Sequence, residues 1–96
     1  MTVVALAPRA LSDLERFRDF LRDIDPSSAD STVGLILAAV GVLEHHPLMG
    51  RSAEGGLREL VISRGKTGYL ALYRYDEARD RVLVLCVRHQ REAGYA

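Results

Sequence analysis

The sequence predicts an α+β domain: an N-terminal strand and an antiparallel helical hairpin packed on a mostly antiparallel four-stranded sheet, in the order β-α-α-β-β-β. Three observations carry this. Apolar residues recur every three to four positions over 8–45 and at roughly every second position over 57–89, so helix-forming sequence precedes strand-forming sequence. The last three strand-like runs are separated only by "RGKTG" and "EARD", short enough for hairpins. Finally, 96 residues, 48% of them hydrophobic and 27% charged, suffice for one globular core and not two, so 1–96 reads as a single domain.

The first strand is "TVVALA" (2–7), β-branched at its start and stopped by Pro8. Leu11, Leu14, Phe17, Leu21 and Ile24 then recur at spacings of three and four with charges between them, which predicts an amphipathic helix over 8–24. Asp25-Pro26 breaks it, and Ser27, Ser28 and Asp30 offer N-caps for a second helix that runs to about His45 before Pro47. So short a link predicts a hairpin. In the second helix Val33, Ile36, Leu37, Val40 and Leu43 form one apolar face, while Leu35, Ala38, Ala39 and Val42 make the opposite face apolar too. Either small Ala and Gly side chains leave an inoffensive surface there, or Leu35 and Val42 meet another protein. Past the Gly-rich loop "HPLMGRSAEGG", the runs "LRELVIS" (57–63), "YLALYRYD" (69–76) and "RVLVLCVRH" (81–89) read as three strands.

Composition narrows the function classes. A single cysteine, Cys86, excludes a disulfide framework and favours a reducing interior. The N-terminus lacks the basic region of a signal peptide. The apolar run "VGLILAAVGVL" (33–43) is about half the roughly 20 residues that span a bilayer, so no membrane partner is expected and the protein reads as cytoplasmic. Thirteen basic residues balance thirteen acidic ones, which leaves little general attraction to nucleic acid; any polyanion site must be local.

Metal chemistry lacks a pattern: His45-His46 sits at a helix end, where the dipole favours a cationic ring, and Cys86 and His89 supply no ligand spacing. No cofactor motif is present. Cys86 lies in the most apolar strand and reads as a buried thiol. Tyr69, Tyr73 and Tyr75 share a strand face with Ala71, as a half-buried stripe rather than a base-stacking platform. The arginines carry more. Arg58, Arg74, Arg88 and Arg91, with His89 and Tyr95, can converge on one edge of a meander, where planar forks suit phosphate or carboxylate. The bland alternative is that Arg74 pairs with Asp76 or Glu59 and the rest are solvated.

The series "APRALSDLERFRDFL", "HPLMGR", "LRELVIS", "YLALYRYD" and "VLVLCVRHQREAGY", in this order, resembles the RelE/ParE superfamily of toxins from bacterial type II toxin–antitoxin modules. The resemblance covers nearly the whole chain and implies the same small α+β fold. It also implies a cognate antitoxin that wraps the toxin, which gives exposed Leu35 and Val42 a use. Either a homodimer or a toxin–antitoxin hetero-oligomer is compatible with it. RelE-like members cleave mRNA on the ribosome with basic residues of the sheet and a C-terminal arginine and tyrosine; ParE-like members bind and poison DNA gyrase. Carried over residue by residue, the C-terminal arginine matches Arg91 and the tyrosine matches Tyr95 at a shorter spacing. The third-strand arginine falls at Leu70, and the two strand lysines fall at or near Val61 and Ser63. Hydrocarbons neither move a proton nor stabilise a phosphorane.

The resemblance therefore points to the ParE end, and to a gyrase-binding surface of Arg58, Arg74, Arg88, His89, Arg91 and Tyr95. The alternative is a ribosome-dependent endoribonuclease with His89 as acid or base, Arg58 and Arg91 on the phosphate and Tyr95 on a base. A toxin fold that keeps its antitoxin and has lost its target is a third reading.

Overall fold

A computed structural model of the chain describes residues 1–62 and 68–91. Its elements are β1 (Val3–Leu6), α1 (Pro8–Ile24), α2 (Pro26–Gly41), β2 (Arg51–Ser52), β3 (Arg58–Ile62), β4 (Tyr69–Asp76) and β5 (Arg81–His89), with 3₁₀ turns at Val42–Glu44 and Glu54–Gly56. The strands make one sheet in the order β1-β5-β4-β3-β2. β1 runs parallel to β5 and all other neighbours are antiparallel. The α+β order expected from the sequence is present, with five strands in place of four. The extra strand, β2, is two residues long and leaves no periodic trace.

The helix break is sharper than expected. Asp25, rather than Ser27, Ser28 or Asp30, caps α2: its carboxylate accepts from Ser27 N at 3.2 Å, from Ser27 Oγ at 2.8 Å and from Ser28 Oγ at 2.8 Å. These hydroxyl bonds hold the Asp25 carboxyl below the usual aspartate range. Pro26 then occupies the first helical turn, where its missing N–H leaves nothing unsatisfied. The same Asp25 closes α1 by donating its N–H to Leu21 O.

One sheet face builds the core. Leu60 and Ile62 of β3, Tyr69, Ala71 and Tyr73 of β4, and Val82, Val84 and Val87 of β5 pack against Ala10, Leu14 and Phe17 of α1 and Ile36 and Val40 of α2. The tyrosine stripe is thus core. Fully buried Tyr73 keeps its hydroxyl satisfied, donating to Pro47 O at 2.7 Å and accepting from Gly50 N at 2.9 Å, which pins residues 47–50 to the sheet.

The alternation Val82, Val84, Cys86 does not continue. A one-residue bulge shifts the β4–β5 register between Leu72–Cys86 and Tyr73–Val84, so Val87 takes the core position. Cys86, paired with Leu72, stays buried, and burial raises its thiol pKa, which keeps it protonated. At the bulge β1 has already ended. Ala7 N donates to Val84 O at 2.8 Å as the last edge contact, and the Asp13 carboxylate of α1 then accepts the Val87 N–H at 2.8 Å. A helix side chain therefore replaces the missing strand.

Both helices bury narrower stripes than the sequence suggests. Leu11 and Ile24 of α1 are exposed, as is Leu37 of α2, which lies about 100° around the helix from Ile36. The helical stretch Pro26–Glu44, 19 residues with its closing 3₁₀ turn, is long and apolar enough to cross a membrane by length and composition. Counting only 33–43 understates it. In this fold Ala29, Val33, Ile36, Val40 and Leu43 of that stretch are buried as one stripe against the sheet and α1, while Leu35, Leu37 and Val42 are exposed.

Candidate functional site

The end of β5 gathers three of the six residues expected to form a site. His89 closes an aromatic chain that starts on α1: Phe17 meets Tyr69 at 5.1 Å, and Tyr69 meets the His89 ring edge-on at 5.1 Å. The Arg16 guanidinium lies over the Phe17 ring at 4.6 Å. The backbone N–H of Arg91 donates to His89 Nδ1 at 3.1 Å, an arrangement that assigns the proton of the neutral ring to Nε2. Arg88 points to the opposite sheet face and curls its guanidinium back to His89 O at 3.2 Å and Gln90 O at 3.4 Å. Gln90 N bonds Gly68 O at 3.0 Å, and the Gln90 side chain fills the space where any Cβ at position 68 would stand. Arg91 is exposed. Tyr95 lies outside the described residues.

Arg58 and Arg74 do not join them. Arg58 pairs with Tyr73, four residues down β3 from the Ile62–Tyr69 rung, which is about 13 Å along the strand. Its guanidinium is spent on the 47–50 loop, donating to Gly50 O at 2.7 Å and Leu48 O at 3.3 Å. Arg74 sits opposite Leu83, on the face away from the helices and about 17 Å along β4 from Tyr69. Neither Asp76 nor Glu59 is bridged to Arg74: Asp76 bridges Arg79, and Glu59 bridges Arg51. Distance along the strands keeps each of them from the β5 end, and strand parity keeps them from each other. Residues 58 and 74 occupy opposite sheet faces, so the two arginines cannot share a site with each other.

The face away from the helices holds a more telling row. Val61 pairs with Leu70, and Leu70 pairs with Arg88, so the three side chains lie side by side across β3, β4 and β5. Leu70 is only 4% exposed. Among the described residues, no three His, Cys, Asp or Glu side chains are grouped to hold a metal ion. Sequence reasoning placed Phe17 in the helix stripe but did not single out Asp13 or Arg16, which with it support this end of the sheet; the four-residue spacing of Asp13 and Phe17 on one helix edge is the signal that could have linked them.

The family model of the ParE toxin of the type II toxin–antitoxin system parDE matches residues 4–94. The chain belongs to this family. Within the wider RelE/ParE superfamily, the toxin is 38% identical over 92 residues to Toxin RelE3 of Caulobacter vibrioides, a match spanning 96% of this chain and 98% of that protein. Its structure is similar to that of the chromosomal ParDE system of P. aeruginosa, with a TM-score of 0.78, 22% identity and coverage of 93% of this chain and 96% of the other. It is similar also to the RelBE2 toxin–antitoxin complex of Mycobacterium tuberculosis, at TM-score 0.61, 26% identity and coverage of 93% and 98%. The toxin fold is thus common to ParE-named and RelE-named proteins, and only its side chains can separate them.

Proposed function

We propose that this toxin inhibits DNA gyrase by binding rather than by cutting RNA, and that a cognate antitoxin neutralises it. The row Val61–Leu70–Arg88 carries the proposal. Where RelE-type members carry a lysine and an arginine, two hydrocarbons stand side by side, and hydrocarbons offer neither a proton nor a charge to a reacting phosphate. The zero formal net charge also disfavours docking on ribosomal RNA. The gyrase-binding surface on this reading is the strand end, Arg88, His89 and Arg91, continuing toward Tyr95. The reading implies a cytoplasmic protein.

Support for the antitoxin comes from α2. Leu35 and Val42 are two turns apart on one helix edge and remain 49% and 39% exposed. Related structures are toxin–antitoxin complexes. An amphipathic antitoxin segment covering that edge removes apolar area from water, the usual chemistry of such docking.

The test is induced expression in bacteria without antitoxin, with plasmid supercoiling and mRNA 5′ ends read from the same cultures. Inhibited supercoiling with intact mRNA is expected. New mRNA ends with normal supercoiling would instead support the RelE-type reading, which the RelE3 relative and the fixed His89–Arg91 pair favour. In that case His89→Ala abolishes cleavage.

A further inference from the structure

We infer a second binding site, for a phosphate ester, at the β4–β5 hairpin end of the sheet face away from the helices. A cleft of about 290 Å³ opens there between Arg74, Asp76, Arg79, Arg81, Leu83 and Ala5. The strand register builds it. Leu83 pairs with Arg74 on one side and Ala5 on the other, and Arg81 pairs with Asp76 one rung further out. Arg74 and Arg81 are thereby diagonal neighbours on paired strands, with backbones about 7–8 Å apart. Both point to the same face.

The charges in the cleft do not cancel. Among the described residues Asp76 is the only carboxylate in its lining, and the hairpin turn engages it: Asp76 Oδ1 accepts from Arg79 N at 3.3 Å, and Oδ2 lies 3.8 Å from Arg79 Nε. Arg74 and Arg81 have no hydrogen-bond or ion-pair partner among the described residues. Two free guanidiniums set this close repel each other until an anion joins them. A planar carboxylate presents its two oxygens in one direction and fills a single fork, whereas the tetrahedral phosphorus of an ester directs its terminal oxygens, three on a monoester and two on a backbone diester, apart so that they can face both. Leu83 and Ala5 supply an apolar wall against which a sugar or base can lie. The volume is near the lower bound of small-molecule pockets, which fits one nucleotide unit. Both strands that carry the arginines are internal to the sheet, so the forks are held on a fixed backbone. The site is separate from the His89–Arg91 end and independent of which target the toxin has.

Two sources share this chemistry, a free nucleotide and the backbone of a nucleic acid. The experiment follows the arginine Nε–Hε resonances of the full chain by NMR during titration with adenosine monophosphate and, separately, with a short single-stranded DNA oligonucleotide. The resonances of Arg74 and Arg81 are expected to move together. In the exposed double variant Arg74→Gln/Arg81→Gln, with an unchanged circular dichroism spectrum, the mononucleotide response is lost. The logarithmic salt slope of oligonucleotide binding becomes shallower by about 1.4, two contacts at about 0.7 each. A response to the mononucleotide alone identifies a free nucleotide as the ligand, and a response to the oligonucleotide alone identifies a nucleic-acid backbone; both sustain the site. Equal binding by the double variant, or resonances that respond to neither phosphate ligand but to a glutamate-rich peptide, would overturn it.

Discussion

At the scale of single residues, Asp80 shows how one side chain ties the N-terminus to the sheet. It is the only non-glycine residue at positive φ among the described ones, at 50°, a conformation that aspartate tolerates. There its Oδ1 accepts from Thr2 Oγ1 at 2.6 Å and from Tyr75 OH at 2.9 Å. The Thr2 and Tyr75 hydroxyl bonds, in that order, hold its carboxyl below the ordinary value of 3.8. A depressed carboxylate stabilises the fold above its unfolded value and loses that contribution as pH falls through its folded value. Asp80→Asn, which keeps the left-handed conformation, is expected to lower the urea midpoint at neutral pH and to match the parent well below pH 3.8. An equal deficit at both pH values would show that the charge is irrelevant. Glycines make the contrasting case. A Cβ on Gly50 would stand 2.7 Å from Tyr73 Cε1, on a ring that cannot retreat, whereas Gly34 in α2 has nothing within 4 Å. Gly50→Ala should therefore cost about 1–3 kcal/mol by overpacking, and Gly34→Ala should gain about 0.5–1 kcal/mol by helix propensity. Thermal melts of the two variants read opposite signs.

At the scale of elements, the outer edge of β5 is the place where chain order alone does not reveal the structure. Periodicity made both helices and the three long strands legible, because each repeats its pattern over five residues or more. It could not reveal β2, which is two residues long, or the bulge at Leu85–Cys86, where both neighbours are apolar and the alternation looks unbroken. The candidate site was legible only in part for a related reason. Arg88, His89 and Arg91 are close in sequence and hence close in space, but grouping them with Arg58 and Arg74 requires the face that each occupies. Register fixes that face, and register is set by pairing across strands. The bulge leaves the Val87 N–H facing outward, and Asp13 satisfies it from α1. Asp13→Ala strands that donor in a part-buried position and should destabilise by about 1–3 kcal/mol, while Asp13→Asn retains an acceptor oxygen and should recover most of the loss. Denaturant unfolding distinguishes them; identical losses for Ala and Asn would mean that the carboxylate acts through its charge, on Arg16 3.6 Å away, rather than through the hydrogen bond.

At the scale of the whole molecule, the proposed function places target binding and antitoxin binding on different surfaces of one fold. The helices cover one face and leave Leu35 of α2 and Val42 of the 3₁₀ turn that follows it outward, while the strand end with His89 and Arg91 lies at the far end of β5. An antitoxin segment lying on α2 need not contact the strand end in order to bind, so affinity for antitoxin and action on the target should be separable by mutation. Introducing a charge into an apolar contact costs most where water is excluded on binding. Leu35→Asp with Val42→Asp, both at solvent-exposed positions, should leave the isolated toxin folded and growth-inhibiting, yet weaken antitoxin binding by at least about tenfold, or about 1.4 kcal/mol. Arg91→Ala should do the reverse, losing inhibition while antitoxin affinity holds. Titration calorimetry with the antitoxin and growth curves on induction report the two properties independently. If the α2 variant lost both together, the helix would belong to the target surface as well, and the division of labour between the helix and the strand end would have to be abandoned.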